Sequence, residues 1–371
     1  MNTIFLGNSD LPWIAPLRNM LQKEGNAIAI KVIVKFDLQT IINFFNFFSK
    51  SSCDQNFIYK VPQGFNNKLN FIYKKKLSNY IDLVVRESMK TCNQAPCIFV
   101  SDISFAKYLY KCERYKIVFL IYDYDIRQNT ITEIYSQFFR LCDVILCSSY
   151  QLSLKIKKVN PIIENKIVYF PHGSNLNFIN PKPNILNLET NIVVNGYLSA
   201  RYDWELIYAV ISRLPKIKFL FVGNIVLSDF NKRRDKWHNL LLETLKLPNV
   251  NHIEGLPHLR TIEYYWKCTI AWLPYDINVI FNFYSCPLKI MDAISSGMPV
   301  ISTPIPECTL YKEFITICDS FETTIEKFQL IIDNKLNPKA NFNNERQLNF
   351  AKNSSWENRV LVYNKILNSI K

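Results

Sequence analysis

The stretch Cys286-Pro287-Leu288-Lys289-Ile290-Met291-Asp292-Ala293-Ile294-Ser295-Ser296-Gly297-Met298-Pro299-Val300-Ile301-Ser302-Thr303 decides how this chain is read. Proline at its start and glycine near its end bracket a short helix, and the β-branched run after Pro299 continues into a buried strand. Lys289, Asp292 and Ser296 recur at helical spacing on one face, while Ile290, Ala293 and Ile294 hold the other. A cation in the first turn with a carboxylate one turn later suits a phosphorylated nucleoside. Lys289 and the helix N-terminus would take phosphate, and Asp292 ribose hydroxyls. The same residues would also make an ordinary solvated helix face.

Working outward, that helix and strand are one step of a repeated rhythm. Apolar strands are expected at 4–6, 28–34, 97–100, 117–122, 144–148 and 167–170, with helices between several of them, such as 103–111 and 131–141. The rhythm breaks at Pro171-His172-Gly173 and through Pro181-Lys182-Pro183, then restarts with strands at 192–195, 219–222, 250–253, 270–273, 300–302 and 316–318. Such a βαβα alternation, made twice, predicts an α/β chain of two Rossmann-like domains, each a parallel sheet with helices on both faces. In open sheets of this kind ligands sit at the C-terminal strand ends. The second domain opens with Val194-Asn195-Gly196-Tyr197-Leu198-Ser199-Ala200-Arg201-Tyr202-Asp203-Trp204-Glu205, a strand, a glycine turn and a helix capped around Asp203. Amides at that helix start, with Arg201 beside them, would suit a diphosphate; the plainer reading makes Arg201 a surface residue flanking a Trp204 core anchor.

Bulk composition narrows the classes. At 371 residues with 49% hydrophobic and 20% charged residues, the chain has material for two cored domains. No apolar run approaches a membrane span, and the first residues lack the pattern of a signal peptide. The ten cysteines include no CxxC pair and the four histidines no metal-type pair, so reduced thiols and no metal are expected. A net charge of +13 favours anionic partners, but the basic residues are spread and no nucleic-acid module is evident. With eight glycines and no GxGxxG, GxxxxGK[ST] or GxSxG, a conventional dinucleotide fold, a P-loop and a hydrolase elbow are all disfavoured. Residues 41–80 depart from the rhythm. Phe44, Phe45, Phe47, Phe48, Lys50 and Lys74-Lys75-Lys76 there read either as an acceptor- or membrane-facing element or as a core helix followed by a solvated loop.

The Pro-x-Lys turn, the acid three residues on, and the following Ala, Gly, Pro-Val and Thr resemble the nucleotide-sugar motif of bacterial GT-B glycosyltransferases. The likeness is to glycosyltransferase family 4 and the teichuronic-acid biosynthesis type. Leu198-Ser199, Tyr202-Asp203-Trp204-Glu205-Leu206 and Thr303-Pro304-Ile305-Pro306-Glu307 fit that type as well. The acid is usually Glu in the family and is Asp292 here, one methylene shorter. The resemblance implies two domains facing each other across a cleft: residues 1–172 for the acceptor, a linker at 173–190, residues 191–353 for the nucleotide sugar, and a last helix at 354–371 packing back on the first domain. It implies donor contacts from Gly196, Arg201, Leu256, Tyr284, Lys289 and Asp292. Leu256 follows from Asn249-Val250-Asn251-His252-Ile253-Glu254-Gly255-Leu256-Pro257-His258, where the family's loop holds the nucleobase; His258 is read as starting the next helix.

A base for the acceptor hydroxyl is expected at the strand end Ile121-Tyr122-Asp123-Tyr124-Asp125, where relatives carry Tyr-Asp-x-x-Asp-Asp. The choice between Asp123 and Asp125 stays open, with Asp102 as a third candidate. The implied activity is metal-independent transfer of a sugar from a UDP- or GDP-linked donor, with no separate cofactor, to a lipid-linked or cell-surface glycan. The implied place is the cytoplasm, with peripheral contact at the inner face of the membrane and no nucleic-acid partner. Two alternatives stand beside it. One is a nucleotide-sugar epimerase of the same fold; the other is a non-catalytic partner subunit, kept open by Asp292 and by the shortened Asp123/Asp125 loop.

Overall fold

A strand inside a parallel sheet covered on both faces has no wet side, so it is built from continuous rather than alternating apolar residues. The computed structural model describes residues 2–35, 56–62, 70–91, 94–122, 133–179, 191–230, 235–335 and 344–370. It divides into two units, the first Met1–Pro171 with Trp356–Lys371, the second His172–Ser355.

The first unit contains β1 (Thr3–Leu6), β2 (Ala27–Lys35), β3 (Asn56–Pro62), β4 (Cys97–Val100), β5 (Lys116–Ile121), β6 (Val144–Cys147) and β7 (Ile167–Tyr169). Among the described residues these form a seven-stranded sheet in the order β3-β2-β1-β4-β5-β6-β7, parallel throughout. β1, β4 and β6 are buried at every residue. Helices α1 (Ala15–Lys23), α2 (Asn70–Thr91), α3 (Glu133–Leu141) and α4 (Tyr150–Val159) connect the strands. The chain returns to this unit with its last helix, Trp356–Ser369, whose Trp356, Val360, Tyr363 and Leu367 share a core with Phe5, Leu17, Leu21 and Phe99.

Two local expectations change. The span 103–111 is not an α-helix: Ile103–Tyr108 is a 3-10 helix whose N-cap Asp102 accepts the Ser104 amide at 2.8 Å, and Leu109 leaves it in extended geometry. Asp102 is thereby a capping residue. The interval 41–80 also holds regular structure, an edge strand β3 and the first part of α2. Lys74-Lys75-Lys76 therefore lies on a helix and not in a loop. Phe44, Phe45, Phe47, Phe48 and Lys50 lie outside the described residues.

The second unit contains β8 (Asn191–Asn195), β9 (Lys218–Val222), β10 (Val250–Ile253), β11 (Ile270–Leu273), β12 (Val300–Ser302) and β13 (Ile315–Ile317), paired in parallel in the order β10-β9-β8-β11-β12-β13. Its helices are α5 (Trp204–Arg213), α6 (Asp235–Leu245), α7 (Ile262–Lys267), α8 (Ile280–Tyr284), α9 (Leu288–Ser295), α10 (Pro306–Thr309), α11 (Phe321–Lys335) and α12 (Asn344–Asn353); the returning helix Trp356–Ser369 is α13. In both sheets the winding reverses beside the first strand, and in the second unit that point falls between β8 and β11. Ligands bind at such switch points, beyond the carboxyl ends of the strands.

Trp204 anchors the second core. It is fully buried, its ring stacks 6.0 Å from Phe221, and its indole N–H donates to Ser199 O at 2.9 Å. Asp203, just before it, accepts the Leu206 amide at 2.9 Å and so caps α5. Trp204→Ala is expected to cost about 3–5 kcal/mol, measured as a lower denaturant midpoint of unfolding.

Candidate functional site

The carboxyl ends of β8 and β9 converge without side chains between them. Gly196 has φ +123° and Gly223 φ +145°, conformations that favour glycine. A Cβ on Gly223 would meet Gly196 O at 2.1 Å, so these two loops touch through backbone alone. A Cβ on Gly196 would meet Lys289 Cε and Nζ at 1.8 Å, because the lysine side chain lies directly over that glycine. Gly196 thus makes room for Lys289, a stronger reason for glycine than the turn itself.

Lys289 stands in the first turn of α9, whose N-cap Pro287 supplies no side-chain capping bond. Its ammonium donates to the Tyr202 hydroxyl at 2.8 Å, and Tyr202 donates onward to Asn195 O at 3.1 Å. The rings of Tyr202 and Tyr275 lie 5.1 and 5.8 Å from Nζ. Burial, then the neighbouring Arg201 guanidinium, lower the Lys289 pKa to about 7, with Asp292 opposing. The Tyr275 hydroxyl is buried with no hydrogen-bond partner among the described residues.

Arg201 is clamped rather than free. Nε donates to Asn282 Oδ1 and Nη2 to Ser285 Oγ, both at 2.9 Å, and the guanidinium lies 4.4 Å from the Phe281 ring centre. Asn282, fully buried, returns two bonds through Nδ2, to Arg201 O at 2.8 Å and Asp276 O at 2.9 Å. Helix α8 and Ser285 just after it therefore fix the guanidinium plane beside Lys289. Among the described residues no carboxylate is bonded to either cation, and a pair held in this way can stabilise an anion.

Asp292 is 2% exposed, and its Oδ2 accepts from His258 Nε2 at 2.7 Å. Burial raises its pKa, with the His258 bond and charge and the Lys289 charge opposing. Burial also disfavours the His258 imidazolium, but the bond and charge of Asp292 outweigh it and the pKa is raised. His258 begins the 3-10 helix His258–Thr261, and it also joins the site, which its sequence context gave no reason to expect. Asn282 and Tyr275 likewise carry no role in the sequence reading, and Tyr202 enters it only as part of the phrase before α5. Leu256 packs half-buried against the second core. Tyr284, half-buried, lies edge-on to Phe283 at 4.9 Å. Ser296, on the same predicted face as Lys289, instead donates to Ala293 O at 2.6 Å within its helix. Asp123 and Asp125 lie outside the described residues.

Two predictions follow from Lys289. Its pKa is about 7 in the folded chain against an ordinary 10.5, so between those values the unfolded chain binds the extra proton and stability rises with pH. Lys289→Met should flatten that rise in thermal unfolding followed from pH 7 to 10. Pyrophosphate binding above pH 7 should take up a proton, visible in calorimetry as a heat that depends on the buffer's ionisation enthalpy. Gly196→Ala should displace Lys289 and weaken pyrophosphate binding with a stability loss of about 1–3 kcal/mol. Gly223→Ala, which meets backbone, should lose more stability in the same denaturant titration.

No protein-family model and no curated protein sequence matches this chain. Solved structures do. HepE from Anabaena, in complex with UDP and glucose, superposes with TM-score 0.67 at 12% identity, covering 100% of both chains. The same protein has been solved with UDP-glucose. A glycosyltransferase from Rickettsia africae gives TM-score 0.63 at 13% identity over 99% of both chains. Sucrose-phosphate synthase from Thermosynechococcus elongatus gives 0.67 at 12% identity, over 99% of this chain and 98% of that one. With both sheets wound in one order and these likenesses spanning the whole chain, the fold is that of the GT-B glycosyltransferases, two Rossmann-like units in one chain.

Proposed function

We propose that this chain is a glycosyltransferase that takes a nucleotide-diphosphate sugar and passes the sugar to a lipid-linked or cell-surface glycan. The observation that carries the reading is the pair Lys289 and Arg201. Arg201 follows the carboxyl end of β8 and Lys289 stands at the start of α9, which has no side-chain cap, and no acid among the described residues is bonded to either. An enzyme that cleaves a sugar from a nucleoside diphosphate must stabilise the charge that develops on the leaving diphosphate. Lys289, Arg201 and the first amides of α9 would supply that stabilisation without a metal. The acceptor hydroxyl would attack the anomeric carbon as the bond to the diphosphate oxygen breaks. Asp123 or Asp125 would receive the hydroxyl proton in an inverting reaction. The donor is assigned to the UDP or GDP class, consistent with the UDP and UDP-glucose carried by the structural relative HepE. No helix among the described residues is long and apolar enough to cross a membrane, so contact with a lipid-linked acceptor is proposed as peripheral.

The test is thermal stabilisation and calorimetry with UDP, GDP, ADP and TDP and their sugars. Ligand at a hundredfold excess over its Kd should stabilise the wild type by about 2.7 kcal/mol. Lys289→Ala and Arg201→Ala should each weaken binding about 10- to 100-fold. Arg201→Lys should not restore it, because the guanidinium fork serves Asn282 and Ser285 at once. Folded wild-type protein that binds none of these ligands would overturn the reading. Conversion of the free nucleotide sugar with no acceptor present would move it to an epimerase.

A further inference from the structure

The diphosphate contacts leave the His258–Asp292 pair without a task. Asp292 is 2% exposed and the His258 side chain 30%, so the member of the pair that meets solvent is the imidazole. Its Nε2 is occupied by Asp292 Oδ2, while Nδ1 has no partner among the described residues. His258 is held through its ring and through its backbone. The Phe178 ring lies 5.4 Å away at 36°, and Thr261 Oγ1 donates to His258 O at 2.7 Å. Thr261 in turn accepts from Asn195 Nδ2 at 3.4 Å, and the same amide reaches the Tyr265 hydroxyl at 3.3 Å. A buried polar network thus ties the His258 backbone carbonyl to the end of β8, where the anion site begins.

With Asp292 accepting from Nε2–H, Nδ1 is left as an acceptor when the ring is neutral and a donor when it is charged; a hydroxyl group can meet either. Three residues of helix, about 4.5 Å of rise, separate Lys289 from Asp292. A nucleotide with its phosphates on Lys289 therefore brings its ribose near this pair.

We propose that His258, held in place by Asp292, binds the ribose hydroxyls of the nucleotide, the buried carboxylate acting through the imidazole instead of touching the sugar. This rests on the nucleotide-sugar reading above and reassigns the contact expected of Asp292 from sequence. His258 is then the specificity-determining group, and Asp292 a positioning residue that sets its tautomer and orientation.

The experiment titrates the full-length wild type, His258→Ala and His258→Gln with UDP and GDP, their 2′,3′-dideoxy analogues, and pyrophosphate. The wild type should prefer the ribonucleotide it binds over its dideoxy analogue by about tenfold or more. His258→Ala should abolish that preference while keeping pyrophosphate affinity, which also reports that the site is folded. His258→Gln, which keeps a hydrogen-bonding tip, should recover part of it. If the carboxylate itself reads the hydroxyls, removing His258 frees Oδ2, and a preference that persists or grows overturns the proposal. A wild type that binds ribo- and dideoxynucleotides equally also overturns it and leaves the nucleotide site standing. A wild type that binds pyrophosphate but no nucleotide sinks the nucleotide reading, and this inference with it. Should His258→Ala fail to bind pyrophosphate, the wild-type ratio and His258→Gln decide the matter.

Discussion

Repulsion between two fixed positive charges organises the second unit's site. Lys289 is pressed over Gly196 and ringed by Tyr202 and Tyr275, while Arg201 is locked by Asn282 on α8 and Ser285 at its end. Neither side chain can relax away, because each is anchored by hydrogen bonds that belong to the fold. Burial first, and then the Arg201 charge, hold the Lys289 pKa down at about 7. Structures keep such unfavourable pairs where a ligand resolves them. Gly196 leaves room for Lys289, and the buried Asn282 holds Arg201 in place.

Much of this was legible in the sequence, for reasons that differ by residue. The strands appeared because parallel sheets favour short apolar runs, as in residues 192–194 of β8, 219–222 of β9 and Ile270–Leu273 of β11. Lys289 and Asp292 were visible because three residues in a helix place them on one face, and Gly196 because a strand ended there. What stayed hidden was whatever tertiary packing decides. His258 sits in a loop of Gly, Leu and Pro with no periodicity, and only folding brings it to 2.7 Å from a residue 34 positions later. Asn282 stands in no motif, yet it is fully buried and braces Arg201. Strand β3 was missed because its run, Asn56–Pro62, ends in proline and contains Tyr and Lys, as edge strands do.

The GT-B fold is shared at 12–13% identity with HepE, the Rickettsia africae glycosyltransferase and sucrose-phosphate synthase. Little identity is needed to keep two sheets of this winding order, since volume and patterning suffice for the cores. The positions that must be particular types are few: a glycine where a lysine crosses the backbone, an asparagine that closes a loop on an arginine. A chain can therefore drift far in sequence while its charged site keeps the same scaffold.

The placement of α13 governs how the chain can mature. The first unit is discontinuous: its sheet is made from residues before 172, but Tyr363 and Trp356 complete its core, and the Tyr363 hydroxyl lies 3.3 Å from Thr3 Oγ1, 360 residues apart in sequence. The second unit, contiguous from 172 to 355, has its whole core as soon as it leaves the ribosome. Synthesis therefore runs against the usual order, with the N-terminal sheet emerging first yet waiting for the last helix to cover Leu17 and Phe99. In that interval the apolar face formed by Phe5, Leu17, Leu21 and Phe99 lacks its cover, which Trp356, Val360, Tyr363 and Leu367 supply only at the end.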